Sequence, residues 1–135
     1  MIVMVMDGQG GGIGAEIIKG IRQYYPDPDM YILALGTNST ATTNMMKAGA
    51  NKGATGENAI IRTSNRTDVI IGPISIIMSN AMMGEVTPGM ADAVCSSKAI
   101  KILIPISQED VSIVGVTGEP LPHMVAKAVK LLRGR

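Results

Sequence analysis

The chain alternates short, wholly apolar runs with longer stretches in which apolar residues recur at helical spacing. Ile2-Val3-Met4-Val5-Met6 is continuously apolar, the pattern of a strand buried on both faces of a parallel sheet. Behind it Ile13, Ile17, Ile18 and Ile21 share one helical face, with Glu16, Lys19, Arg22 and Gln23 opposite. Pro26 and Pro28 forbid continuation of that helix and predict a turn. Met30 to Leu35 then reads as a second buried strand, and a helix follows through Met45, Met46 and Ala48 to Gly49 as its C-cap. Lys52 to Thr55 is too short to assign. Thr55-Gly56-Glu57-Asn58, ahead of Ala59-Ile60-Ile61, predicts a capped helix whose first turn Glu57 and Asn58 cap and solvate.

Thr67 to Pro73 is the clearest later strand and ends in Gly72-Pro73. Ile74 to Met83 is apolar nearly all round, so it should be buried or packed on a partner. Thr87-Pro88-Gly89-Met90 starts a helix that turns Met90, Ala93, Val94 and Ser97 inward and ends near Ala99. Lys101 to Ile106 is a strand, and the polar turn Ser107-Gln108-Glu109-Asp110 is too short for a parallel crossover. Val111 to Val116 is therefore expected to return antiparallel. A last helix, Pro122 to about Arg133, places Val125, Ala128, Val129 and Leu132 on one face. Strands alternating with helices predict one Rossmann-like α/β domain over residues 1–135, doubly wound and mostly parallel, with one antiparallel edge strand.

The first strand runs into Asp7-Gly8-Gln9-Gly10-Gly11-Gly12-Ile13-Gly14, which has the makings of a phosphate cradle. Glycines let a backbone turn sharply and approach a ligand, and free N–H groups at a helix start favour an anion. The expectation requires those amides to be bare. Two registers fit: G-x-G-x-x-G/A on Gly10, Gly12 and Ala15, or G-x-x-x-G-I-G on Gly8, Gly12, Ile13 and Gly14. The second resembles the cofactor loop of short-chain dehydrogenases. The catalytic Tyr followed four residues later by Lys is absent, since Tyr24, Tyr25 and Tyr31 have Pro28, Asp29 and Leu35 at that offset. Asp7 fits neither register; it could hold ribose, hold Mg²⁺ or cap the turn.

Ligands in such sheets bind beyond the carboxyl ends of the strands. Those ends add Gly36, Thr37, Asn38 and Ser39, then Gly72, Pro73 and Ser75, with Ser107 in reserve. After the second strand a nicotinamide enzyme would carry an acidic residue for ribose or an Arg for its phosphate. Neither stands there, which lowers the odds of NAD(P) while leaving another nucleotide open.

Composition narrows the partners. A net charge of +1 gives no electrostatic footprint for nucleic acid, and the apolar runs fall far short of the roughly 20 residues of a membrane helix. No signal peptide is evident and Cys95 is alone, which fits the cytoplasm. Cys95 is expected to be a small core residue, and His123, the one histidine, to be an unremarkable exposed side chain. No set of residues suggests a metal site. With 11 Met and no Phe or Trp, the core must be aliphatic and thioether, and base recognition cannot rest on those platforms. Met78, Met82, Met83 and Met90 suggest an adaptable exposed patch and a homodimer through it.

Taken whole, the chain resembles a small bacterial family of about this length known only as a domain of unknown function. The resemblance rests on Asp7 to Gly14, Ala34-Leu35-Gly36-Thr37-Asn38, Ala48 to Asn51, Gly53 to Ala59, Ile71-Gly72-Pro73 and Glu119 to His123. It implies a Rossmann-like fold and no assigned activity. Locally, Ile71 to Ser75 with Thr87 to Ala93 and Ser97 to Ala99 is similar to the phospholactate transferase and gluconeogenesis-factor family, with Ile74 where that family has a second glycine. The function this indicates is binding of a nucleotide, dinucleotide or phosphorylated metabolite at the glycine loop, without a catalytic set. A small Mg-dependent phosphoryl or nucleotidyl transferase using Asp7, and a structural or regulatory homo-oligomeric subunit, are the alternatives.

Overall fold

A computed structural model describes residues 1–107 and 109–134. Its centre is β1 (Ile2–Asp7), whose alternate side chains leave on opposite faces: Val3 and Val5 enter one apolar cluster, Met4 and Met6 the other. β1 is flanked in parallel by β2 (Tyr31–Gly36) and β4 (Val69–Pro73). β3 (Lys52–Thr55) extends the sheet beyond β2, and β5 (Ile100–Ile104) extends it beyond β4. The order is β3-β2-β1-β4-β5, so successive strands are added to one side of β1 and then, from β4, to the other. That change of side opens a crevice at the carboxyl ends of the strands.

α1 (Gly12–Tyr24) and α2 (Ser39–Lys47) pack on one face with α5 (Leu121–Arg133); α3 (Glu57–Ser64) and α4 (Pro88–Ser96) cover the other. On α1 the expected stripe of Ile17, Ile18 and Ile21 is fully buried, each side chain worth about 1.5–3 kcal/mol relative to exposure. Arg22, placed by periodicity on the polar face, folds back to donate to the carbonyls of Gly49 and Met30 and to Asn51 Oδ1, tying the end of α1 to the β2–β3 side. Thr87 caps α4 by accepting from Met90 N–H, as its Thr-Pro start predicts.

Three expectations are overturned. Val111 to Val116 forms no strand, so no antiparallel edge strand occurs among the described residues; the segment crosses the carboxyl side of β5 as a loop. Gln108 of the polar turn lies outside the described residues. Cys95 is exposed rather than core, because α4 turns Met90, Ala91 and Val94 inward and ends at Ser96. The methionine patch is not a patch: Met82 and Met90 are buried, Met78 is partly covered, and only Met83, at 97%, stands in solvent. Ile74 to Met83 spends its apolar side chains on the α4 side of the sheet, beginning with a short 3-10 turn at Ile74–Ile77. Among the described residues no helix is long and apolar enough to cross a membrane.

Candidate functional site

The glycine loop lies where the pattern puts it, between β1 and α1 at the switch point. Its internal bonding was not legible from the glycines. Asp7, only 3% exposed, turns its carboxylate back into the loop, where Oδ1 accepts from Gly8 N–H at 2.8 Å and Oδ2 from Gly14 N–H at 2.8 Å. Gly11 N–H donates to the Gly8 carbonyl at 2.9 Å and closes a turn. The helix start therefore already holds a carboxyl group of its own. Burial pushes the Asp7 carboxyl above its ordinary value; bonds from the Gly14, Gly8 and Ile13 amides pull it down and the charge of Glu85 adds to the rise.

Crowding selects glycine at Gly8 and Gly14, which the second register contains, and at Gly11, which neither register contains. A Cβ at Gly8 would meet Thr37 Oγ1 at 2.3 Å, one at Gly11 would meet Ala41 backbone at 2.8 Å, and one at Gly14 would meet Met45 Sδ at 2.4 Å. Gly11 also has a φ of 72°, which only glycine adopts without cost. A Cβ on Gly10 or Gly12 meets nothing within 4 Å. The loop is braced from α2: Asn38 Nδ2 donates to the Gln9 carbonyl and Asn44 Nδ2 to the Gly10 carbonyl.

Glu85 is the residue that sequence reasoning missed. It lies in the segment between β4 and α4, yet its Oε1 reaches the carboxyl end of β2. There it accepts from Gln9 N–H at 2.8 Å, Thr37 Oγ1 at 2.7 Å and Asn38 Nδ2 at 2.8 Å. Partial burial pushes the Glu85 carboxyl up, but those bonds outweigh it and hold it below its ordinary value. The acidic residue that seemed absent after β2 thus arrives from elsewhere in the chain, over 40 residues downstream, and nothing local announces it. The Asn80 to Gly84 stretch preceding it has an unusual backbone. Asn80, Met82 and Met83 all have positive φ (68°, 57° and 58°), a conformation that costs about 1–3 kcal/mol per non-glycine residue and marks clamps and switches.

The expectation of bare amides therefore holds only in part. Gly8, Gln9, Gly11 and Gly14 use their N–H groups within the chain. Gly10 and Gly12 are donors in none of these bonds. They face a crevice of about 450 Å³ whose walls are the loop from Asp7 to Ile13, Pro73 and Ser75 after β4, and Ile106, Ser107 and Glu109 after β5. Met82 and Met83 stand at its edge, and Glu109 Oε1 accepts from Met82 N–H at 2.7 Å. Of the other predicted residues, Gly14 lies behind the loop and Gly72 is pressed against the Met6 carbonyl. Gly36, Thr37, Asn38 and Ser39 do not line the crevice; Thr37 and Asn38 donate to Glu85 instead. Glu57 accepts from Thr87 and stays outside, and His123 is exposed on α5. Among the described residues no group of three His, Cys, Asp or Glu could hold a metal ion.

Residues 2–135 match the family described as Domain of unknown function (DUF3842), and the chain belongs to that family. No curated protein matches it in sequence. Among solved structures it is similar to a dodecameric FMN-dependent UbiX-like decarboxylase from Escherichia coli O157:H7. The identity is 16%, the TM-score 0.48, and the match covers 98% of this chain and 75% of that one. The local likeness to the phospholactate transferase and gluconeogenesis-factor family finds no support in these comparisons.

Proposed function

We propose that this member of the DUF3842 family binds a small phosphorylated metabolite, of mononucleotide or sugar-phosphate size, in the crevice between the glycine loop and the ends of β4 and β5. The observation that carries this reading is the pair of amides, Gly10 and Gly12, that donate to no partner among the described residues and belong to the wall of a crevice of about 450 Å³ at the start of α1. Ser75, Ser107, Asn80 and Glu109 supply groups for hydroxyls, and Pro73, Ile106 and Met82 supply an apolar wall. A dinucleotide laid across the switch point has no room while Met82 and Glu85 are seated. A Mg²⁺-dependent transferase built on Asp7 has weaker support, since both Asp7 oxygens already serve backbone amides.

Thermal unfolding against a panel of nucleoside monophosphates and sugar phosphates tests the reading. A ligand at a hundred times its Kd should add about 2.7 kcal/mol of stability. Gly12→Leu is the matched control: its Cβ enters open space, its helix propensity is better, and its side chain fills the crevice. The variant should unfold at or slightly above the wild-type temperature and lose the ligand shift. An equal shift in Gly12→Leu, or no shift with any panel member at millimolar concentration, would remove the proposal.

A further inference from the structure

We propose that Gln9 N–H, the Thr37 hydroxyl and the Asn38 side-chain amide form a second anion site in which Glu85 is the resident occupant, and that a phosphate or phosphomonoester displaces it. The inference goes beyond the crevice reading, because Thr37, Asn38 and Glu85 do not line that crevice.

Three donors from two separate loops converge on one oxygen, Glu85 Oε1, at 2.7–2.8 Å. Each donor is positioned independently of Glu85. Asn38 is fixed by accepting from Ala41 N–H through Oδ1 and by donating to the Gln9 carbonyl, and Thr37 N–H is held by the Asp7 carbonyl. The cradle therefore persists when its occupant leaves. The occupant, by contrast, is held by these donors at one oxygen, Oε1. Glu85 is only partly buried, and its own segment carries the positive-φ residues Asn80, Met82 and Met83. That segment is closed at its base by Asn80 N–H to the Val86 carbonyl and by Val86 N–H to the Ala81 carbonyl, so it can lift without unfolding α4. A phosphomonoester brings more charge and three acceptor oxygens to donors that now share a single carboxylate oxygen. Met82 covers Gly8 beside this cradle. Lifting the segment joins the crevice to the end of β2, the span a longer phosphorylated ligand needs.

Calorimetric titration of inorganic phosphate at neutral pH is the test. Glu85→Ala should bind phosphate at least tenfold more tightly than wild type, and Glu85→Gln should fall between the two. Thr37→Val added to Glu85→Ala should remove most of the gain. In wild type, saturating phosphate should speed hydrogen exchange of the Met82, Gly84 and Glu85 amides, while the Asn80 and Val86 amides at the base stay protected. If Glu85→Ala fails to fold, the Glu85→Gln comparison and the exchange measurement decide. Phosphate binding no tighter in the Glu85 variants, or exchange unchanged or slowed, overturns the proposal. Gly12→Leu separates it from the crevice reading: the Glu85→Ala gain must survive in that background. Its loss there would assign the ion to the Gly10 and Gly12 amides and leave this second site without support.

Discussion

Asp7→Ala is expected to destabilise the protein by about 2–4 kcal/mol at neutral pH, since it strands the buried amides of Gly8 and Gly14. For a domain of this size that is a fall in Tm of roughly 10 °C. Denaturant unfolding should show a lower midpoint at unchanged slope. Asp7→Asn keeps the shape but can accept from only one of the two amides, so its loss should be smaller. Its pH dependence carries a sign. Burial raises the folded-state carboxyl above its unfolded value, so across that window the folded chain holds the extra proton. Stability from this group therefore declines as pH rises from the ordinary carboxylate value through the raised one. The gap between wild type and Asp7→Asn should narrow over that interval and stay level above it. Glu85, held low by its three donors, has the opposite sign: what it contributes is present above its unfolded value and fades as pH falls through its folded one. A gap that widens with pH would mean that burial does not dominate at Asp7.

Gly36→Ala is expected to cost on the order of 3 kcal/mol, although it adds a single methyl group. The new Cβ would sit 2.2 Å from Thr42 Oγ1, 2.6 Å from the Asn38 carbonyl and 2.7 Å from Thr42 N, and backbone cannot step aside as a flexible side chain would. The turn from β2 into α2 must open, carrying Thr37 and Asn38 away from Glu85. Gly10→Ala enters open space and should stay within about 0.5 kcal/mol of wild type. Chemical denaturation of the two variants side by side checks the contrast. Similar losses would mean that the loop and the β2 turn are equally adaptable.

Both variants bear on what the glycines were for. Read along the chain, the loop offers two ligand-binding registers; in space, the crowded positions are Gly8, Gly11 and Gly14, and the crowding comes from Thr37, Ala41 and Met45. Part of the glycine content serves the close approach of α2, while Gly10 and Gly12 stand in open space. The spacing could not separate those uses, because both require the same missing Cβ.

Local periodicity was enough for β1, β2, β4, β5 and the long helices, since a buried strand and a one-sided helix must each write their burial into consecutive residues. It also placed the loop at the head of β1 and the capped start of α4. It misassigned Val111 to Val116, whose apolar residues resemble a strand but find no pairing partner, and Cys95, whose facing depends on where α4 sits against the sheet. The tertiary structure alone decided which loop amides are taken up within the chain. The loop amides donate to Asp7 and Glu85, bonds that depend on where a carboxylate arrives in space, and Glu85 arrives from 76 residues beyond Gln9. Hydrophobic pattern is a property of neighbours in the chain and was legible in it. The saturation of a polar group is a property of neighbours in the fold, and no local stretch records it.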